Sequence, residues 1–179
     1  MKRFICILAA VTTGWLSAPA AASAQLRVTT TPAGAPVLGN TIRGSSATVF
    51  SVSTSGVVTR ASGNAIRLGS GVVTPPTVTV DCGFLNLSGL CALRSVRITI
   101  TPVSGAGSAS ITRLRVTGVS GFTYQSGSAP AEASSISFDI HPIGLFGSAV
   151  FRLGMDIQLA ANSPSGVQPA SFIVTAQFI

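Results

Sequence analysis

Few side chains in this sequence could do chemistry, and their spacing decides of what kind. Cys82 and Cys91 flank the loop Gly83-Phe84-Leu85-Asn86-Leu87-Ser88-Gly89-Leu90. Two thiols this close usually pair in an oxidising compartment, and the bridge would close a loop of about ten residues, worth about 2.5–3 kcal/mol in chain entropy. A redox pair is usually C-x-x-C beside a helix. Zinc would need two more ligands, and His141 is the one histidine. A structural disulfide stapling one β-corner is therefore expected. Asn86-Leu87-Ser88 matches a glycosylation acceptor, a short motif common by chance and without meaning in a bacterial protein.

His141 precedes Pro142 with no partner Cys or Ser and no acid at matched spacing. General-base work needs a positioned reacting partner, so a structural or surface histidine is the reading. Asp139 and Asp156 fall on the polar phase of alternating segments. Paired carboxylates could serve glycoside hydrolysis, but such sites usually add aromatic platforms. Beyond the N-terminal segment the chain offers Tyr124 and no Trp. Solvated strand faces account for both acids more simply. No G-x-S-x-G joins a strand to a helix, and the glycine-rich Ser104–Ser108 patch lacks a Lys and a following helix. No catalytic, cofactor-binding or metal-binding residue is expected, and the chain is read as not an enzyme.

The elements that must carry these residues are plainer. From Ala149 to Leu159 every odd position is apolar, while the even positions are mostly polar, charged or glycine. Only a β-strand has a side-chain period of two. The same beat predicts strands near Ala47–Thr54, Gly56–Arg60, Ala65–Leu68, Thr77–Asp81, Ser95–Pro102, Ser110–Gly118, Gly121–Gln125, Ser135–Ile140, Ala149–Leu159 and Ala170–Ile179. Turn residues separate them, as at Ser62-Gly63-Asn64, Ser126-Gly127 and Asn162-Ser163-Pro164-Ser165-Gly166. Val96, Ile98 and Ile100 should point inward, with Arg97, Thr99 and Thr101 outward. The expected fold is all-β, a single antiparallel β-sandwich of Greek-key, Ig-like or pilin-like kind. Ser55-Gly56-Val57-Val58-Thr59 recurs as Ser70-Gly71-Val72-Val73-Thr74. A solenoid needs at least three copies, so two similar strand starts are expected instead. An outer-membrane barrel would want strands of ~9–11 residues and aromatic girdles, and no stable membrane insertion is expected.

The N-terminus carries an export pattern: Lys2 and Arg3, an apolar run from Phe4 to Leu16, then Pro19 and small residues up to Ala22-Ser23-Ala24. Cleavage is expected between Ala24 and Gln25. The organisation that follows is a signal peptide over 1–24, an extended arm or linker over 25–46, and the β-sandwich over 47–179. Pro32 and Pro36, which fix φ and lack N–H donors, mark the arm. Past the leader there are nine Arg against Asp81, Glu132, Asp139 and Asp156, a balance of +5, and no Lys. Lys–Asn isopeptide cross-links are thereby excluded. The arginines are scattered, without a basic run, so nucleic acid is not an expected partner and a mildly basic solvated surface is. The final strand has Phe172, Val174, Ala176 and Phe178 in phase. A terminal strand offers its backbone to another chain, so this row is a candidate assembly strand, and Leu26-Arg27-Val28 could be donated to a neighbour.

Together, an export signal, an alternating β-domain, one short disulfide loop and a final strand with a penultimate aromatic resemble the pilin-like secreted proteins of Gram-negative bacteria, among them spore-coat-protein-U-type and fimbrial subunits. Phe50-Ser51-Val52-Ser53 with Gly56-Val57-Val58-Thr59-Arg60, and Leu153-Gly154-Met155-Asp156, resemble a proteobacterial family catalogued as a domain of unknown function (number 4402). The likeness would cover most of Ala47–Ile179. It implies export to the periplasm or cell surface, a periplasmic chaperone that lends a strand, and self-assembly into head-to-tail filaments. The chain departs from fimbrial subunits in its Pro32/Pro36 interruption, its closely spaced cysteines, and Phe178 where many have Tyr. The expected function is that of a secreted, non-enzymatic surface or structural protein, a candidate pilus or filament subunit. The rival is a monomeric binding module for glycan or another surface ligand.

Overall fold

The computed structural model of the chain describes residues 26–82, 90–103 and 108–179. Ala24 and Gln25, the Asn86-Leu87-Ser88 motif and the turn at 104–107 lie outside the described residues. The strands are β1 (Leu26–Thr31), β2 (Thr41–Ile42), β3 (Thr48–Val52), β4 (Val58–Ser62), β5 (Ile66–Arg67) and β6 (Thr77–Cys82). After the short helix α1 (Leu90–Leu93) come β7 (Val96–Pro102), β8 (Ala109–Ser120), β9 (Ile136–Ile140), β10 (Ser148–Leu159) and β11 (Phe172–Phe178). All pairings are antiparallel.

The architecture is an all-β sandwich organised on β10. Its twelve residues are long enough for two strands to share one edge: β6 takes Ser148–Arg152 and β3 takes Met155–Leu159. Where they meet, the Leu153 amide donates to the Pro76 carbonyl at 2.9 Å. Pro75 and Pro76 cannot donate to a ladder, which suits them to this break. β8 covers the other edge of β10 from Val150 to Leu159. β1 extends the large sheet beyond β6, and β4 extends it beyond β3. The opposing sheet is β11-β7-β9, and β2-β5 form a small separate ladder.

The odd residues of β10, from Ala149 to Leu159, are all buried, and they meet Val96, Ile98, Ile100, Ile136, Phe138 and Ile140 of the opposing sheet in one core. Phe138 and Phe151 span the two layers, with ring centroids 5.6 Å apart at an interplanar angle of 78°. Such edge-to-face pairs add to the area they bury. Phe122 and Tyr124 complete this aromatic group.

Four details depart from expectation. The 25–46 segment is extended but not loose over its first part, because β1 pairs with β6 from Leu26↔Cys82 to Thr31↔Thr77, and the prolines come only after the ladder ends. Gly121–Gln125 forms no strand: Tyr124 makes a single bridge to Ile140. The second copy of the repeat, 70–74, is loop and lies against the first, with Val73 N donating to Gly56 O at 2.9 Å. A turn of helix, α1, stands where a plain turn was expected, and presents Cys91 to the core. No helix among the described residues is long and apolar enough to cross a membrane.

Candidate functional site

The Cys82–Cys91 disulfide is formed, with Cα atoms 6.2 Å apart and both residues buried. It ties the end of β6 to α1, and Gly144 N donates to Cys91 O at 3.0 Å, so the loop before β10 is held at the same corner. His141 is exposed, and its amide donates to Thr123 O at 3.1 Å. Among the described residues no group of three or more His, Cys, Asp or Glu comes together as a metal site would require.

The C-terminal row expected as a candidate assembly strand forms β11. Phe172, Val174, Ala176 and Phe178 point the same way along β11, which pairs with β7 from Phe172↔Pro102 to Phe178↔Val96. On its other side β11 has no ladder partner among the described residues. Phe172 is buried, but Val174, Ala176 and Phe178 are only partly so. Leu26 and Val28 of β1 are also partly buried, and β1 is likewise an edge strand. The two edges approach with Cα atoms within 8 Å but form no ladder. An intervening strand would need about 9.5 Å between them, so nothing can slot in while β1 stays put.

The acids Asp139 and Asp156 are not brought together; each has its own arginine. Asp139 of β9 faces Arg97 of β7 across the ladder in a two-point contact, at 2.8 and 2.9 Å. That hydrogen-bonded pairing lowers the Asp139 carboxyl below the ordinary carboxylate range and raises the Arg97 guanidinium further. Asp156 departs from its expectation as a solvated residue, because its side chain is 12 % exposed under two arginines. Arg115 Nη2 donates to its carboxylate at 2.6 Å and Arg115 Nη1 to Ser51 Oγ at 2.9 Å, while Arg113 stands 3.7 Å away. Glu132 adds a second carboxylate, 3.3 Å from Arg115 and 3.7 Å from Arg113. It is delivered by the segment whose Ala133 bridges Leu114 on the outer edge of β8.

Backbone details build this cluster. Gly154 lies opposite Arg115 in the ladder, and a Cβ there would crowd the Arg115 stem at 2.7 Å and the Val52 carbonyl at 2.9 Å. Glycine is what lets the guanidinium cross β10 to reach Ser51. On β8 an extra residue at Thr112 shifts the register between Asp156↔Arg113 and Ile157↔Ile111, so the inward row runs Ala109, Ile111, then Leu114, Val116. Such a bulge re-aims the side chains that follow it. The two stretches around Ser51 and Asp156, far apart in sequence, are thus ladder partners.

The N-terminal third is different. Arg27, Arg43, Arg60 and Arg67 occur with no Asp or Glu before Asp81. Arg60 and Arg67 line one groove of about 290 Å³ with Val58, Ile66 and Ser70. Their hydrogen-bond partners among the described residues are backbone carbonyls: Arg60 Nη1 donates to Ala65 O at 3.2 Å, and Arg67 donates to Leu38 O and Gly71 O. Neither makes an ion pair among the described residues. At Arg67 and Gly69 this groove meets a larger one of about 720 Å³. This juxtaposition is not legible in the sequence, since it depends on how the turn between β4 and β5 brings Arg60 and Arg67 to one groove. No protein-family model, curated protein or solved structure matches the chain.

Proposed function

We propose that this chain is an exported, non-enzymatic surface or structural protein, and that copies assemble by strand addition, β1 of one copy replacing β1 of the next. The observation that carries this reading is the seam between two edge strands: among the described residues β11 has no ladder partner on its outer side, β1 abuts it without pairing, and the inward rows of both, Phe172 apart, are only partly buried. An edge strand with unpaired backbone groups is a template for another chain. β1 is the strand able to leave, since it is held by one ladder alone and is followed by the Pro32–Pro36 segment. Exchange conserves that ladder, because the incoming copy of β1 restores the register to β6, and it needs no space beyond what β1 already occupies. The leader pattern at Lys2–Ala24 supports delivery through the inner membrane, and the short disulfide suits an oxidising compartment. A pilin-like filament is the assembly this would build.

Locking β1 in place tests the reading. Thr29 and Thr79 are ladder partners, so Thr29→Cys with Thr79→Cys would pin β1 to its own β6 when oxidised. Size-exclusion chromatography and electron microscopy should show oligomers or filaments for the parent protein. The oxidised variant should remain a monomer, and reduction should restore assembly. A parent that is strictly monomeric, or a locked variant that assembles as well as the parent, would overturn it.

A further inference from the structure

We infer that the joined grooves at Arg60 and Arg67 bind an amphiphile with a single anionic head group, carboxylate, sulfate or phosphate, and a hydrocarbon tail. This goes beyond the assembly reading and does not depend on it; the two meet only where Thr31, the last residue of β1, and the Pro32–Ala35 segment line the larger groove.

The head-group end follows from charge. A guanidinium carries five N–H donors and is never deprotonated in proteins. Arg60 gives one donor to Ala65 O, and Arg67 gives two, to Leu38 O and Gly71 O. The rest are claimed by no described residue. Arg67 is fixed by its two carbonyl contacts, so its remaining N–H donors are pre-organised to receive an oxyanion. Two like charges lining one groove, with no Asp or Glu in residues 26–80 to offset them, leave a positive field suited to an anion.

The tail end follows from shape and polarity. The larger groove is walled by Pro32, Ala35, Val37, Leu38, Val72 and Val73. Val37 and Val72 are 61 % and 71 % exposed on its walls, apolar surface that a hydrocarbon tail would cover. Its one ionisable residue is Arg67, at the junction with the charged groove. Its size, about 720 Å³, lies within the range of small-molecule sites. An apolar trough with a cationic junction matches a one-headed amphiphile. The chain's own leader is a poor occupant, because its apolar run is headed by Lys2 and Arg3 and holds no carboxylate.

The test is an NMR and calorimetric titration of the purified protein with dodecanoate as a free monomer. Saturable binding is expected, with amide shifts at Ala35, Val37, Val72 and Val73 and side-chain shifts at Arg60 and Arg67. Dodecyl maltoside, with the same tail and no charge, should bind at least tenfold more weakly. Acetate and inorganic phosphate, heads without the tail, should bind at least tenfold more weakly too. Arg60→Gln and Val72→Asp alter exposed residues and should each weaken dodecanoate at least tenfold, with the amide spectrum otherwise folded. Absence of saturable binding, equal binding of the uncharged detergent, phosphate binding as tightly as dodecanoate, or unaffected variants would each overturn the inference. So would capture by phosphatidylglycerol vesicles without binding of the monomeric acid, which would mark a membrane-surface contact instead.

Discussion

Two arginine pairs in this molecule meet opposite surroundings. Arg113 and Arg115 on β8 face Asp156 and Glu132, and the inner guanidinium is 18 % exposed. Arg60 and Arg67 line a groove and face backbone carbonyls and solvent. The first pair is locked into a network that also reaches Ser51 on β3, so it ties β8, β10 and β3 together. The second has donors left over. The same residue type therefore serves cohesion in one place and recognition in the other, and the carboxylates decide which. Three of the four acids of the described chain, Glu132, Asp139 and Asp156, sit in ion pairs on or beside β7 to β10, and the N-terminal third has none to spare.

If this contrast is sound, the largest effect should come from opening the locked pair. Asp156→Ala leaves Arg115 desolvated with its main partner gone, and removing one member of a buried pair costs about 3 kcal/mol or more. Because both side chains keep some exposure, we expect a loss of about 2–3 kcal/mol in urea unfolding. Replacing both members with Leu should recover most of it, to within about 1 kcal/mol of the parent, since a well-packed apolar pair avoids the desolvation cost. An Asp156→Ala loss below about 1 kcal/mol would mean that the cluster behaves as an exposed pair, and the contrast with Arg60 and Arg67 would fall.

Alternation made the strands legible. Val96, Ile98 and Ile100, and the odd residues of β10, lie inward where their period places them. Pairing of Cys82 and Cys91 followed from proximity in sequence. What could not be read is register. Nothing local says that Asp156 faces Ser51 on one side and Arg113 on the other, because ladder partners are chosen by the assembled sheet. The bulge at Thr112 left a visible trace in the odd spacing of Ile111 and Leu114, which breaks the two-residue beat. Asp156 was misjudged for the same reason: polar phase says which face a residue occupies, not whether arginines from the next strand will cover it. At Gly121–Gln125 the aromatic alternation of Phe122 and Tyr124 imitated a strand. Their rings instead fold in beside Phe138, and only Tyr124 bridges β9.

Arg97 and Asp139 make an intermediate case, paired in good geometry yet near solvent. The hydrogen bonds from Arg97 hold the Asp139 carboxyl below its ordinary value. A depressed folded-state value means that the pair's contribution is complete above the unfolded carboxylate value of about 3.9 and is lost as pH falls through the lower folded one. Carboxyl NMR titration should place the Asp139 midpoint below about 3.9, and Arg97→Gln should bring it back up. A midpoint unmoved by that substitution would detach the shift from the pair.

The smallest effect should belong to Arg60. Arg60 is exposed on a groove wall, its one hydrogen bond among the described residues goes to Ala65 O, and Arg67 lines the same groove. Arg60→Gln should change unfolding free energy by no more than about 0.5 kcal/mol, as surface substitutions usually do. The sign should be towards greater stability at low ionic strength, because one of two like charges has gone. The gain should fade as salt shortens the screening length to about 8 Å near 0.15 M. Asp156→Ala should show less salt dependence, since the Asp156 and Arg115 side chains are largely buried. A loss above about 1 kcal/mol for Arg60→Gln at any salt would make that arginine a structural tie like Arg115, and the division between a cohesive pair and a receptive one would no longer hold.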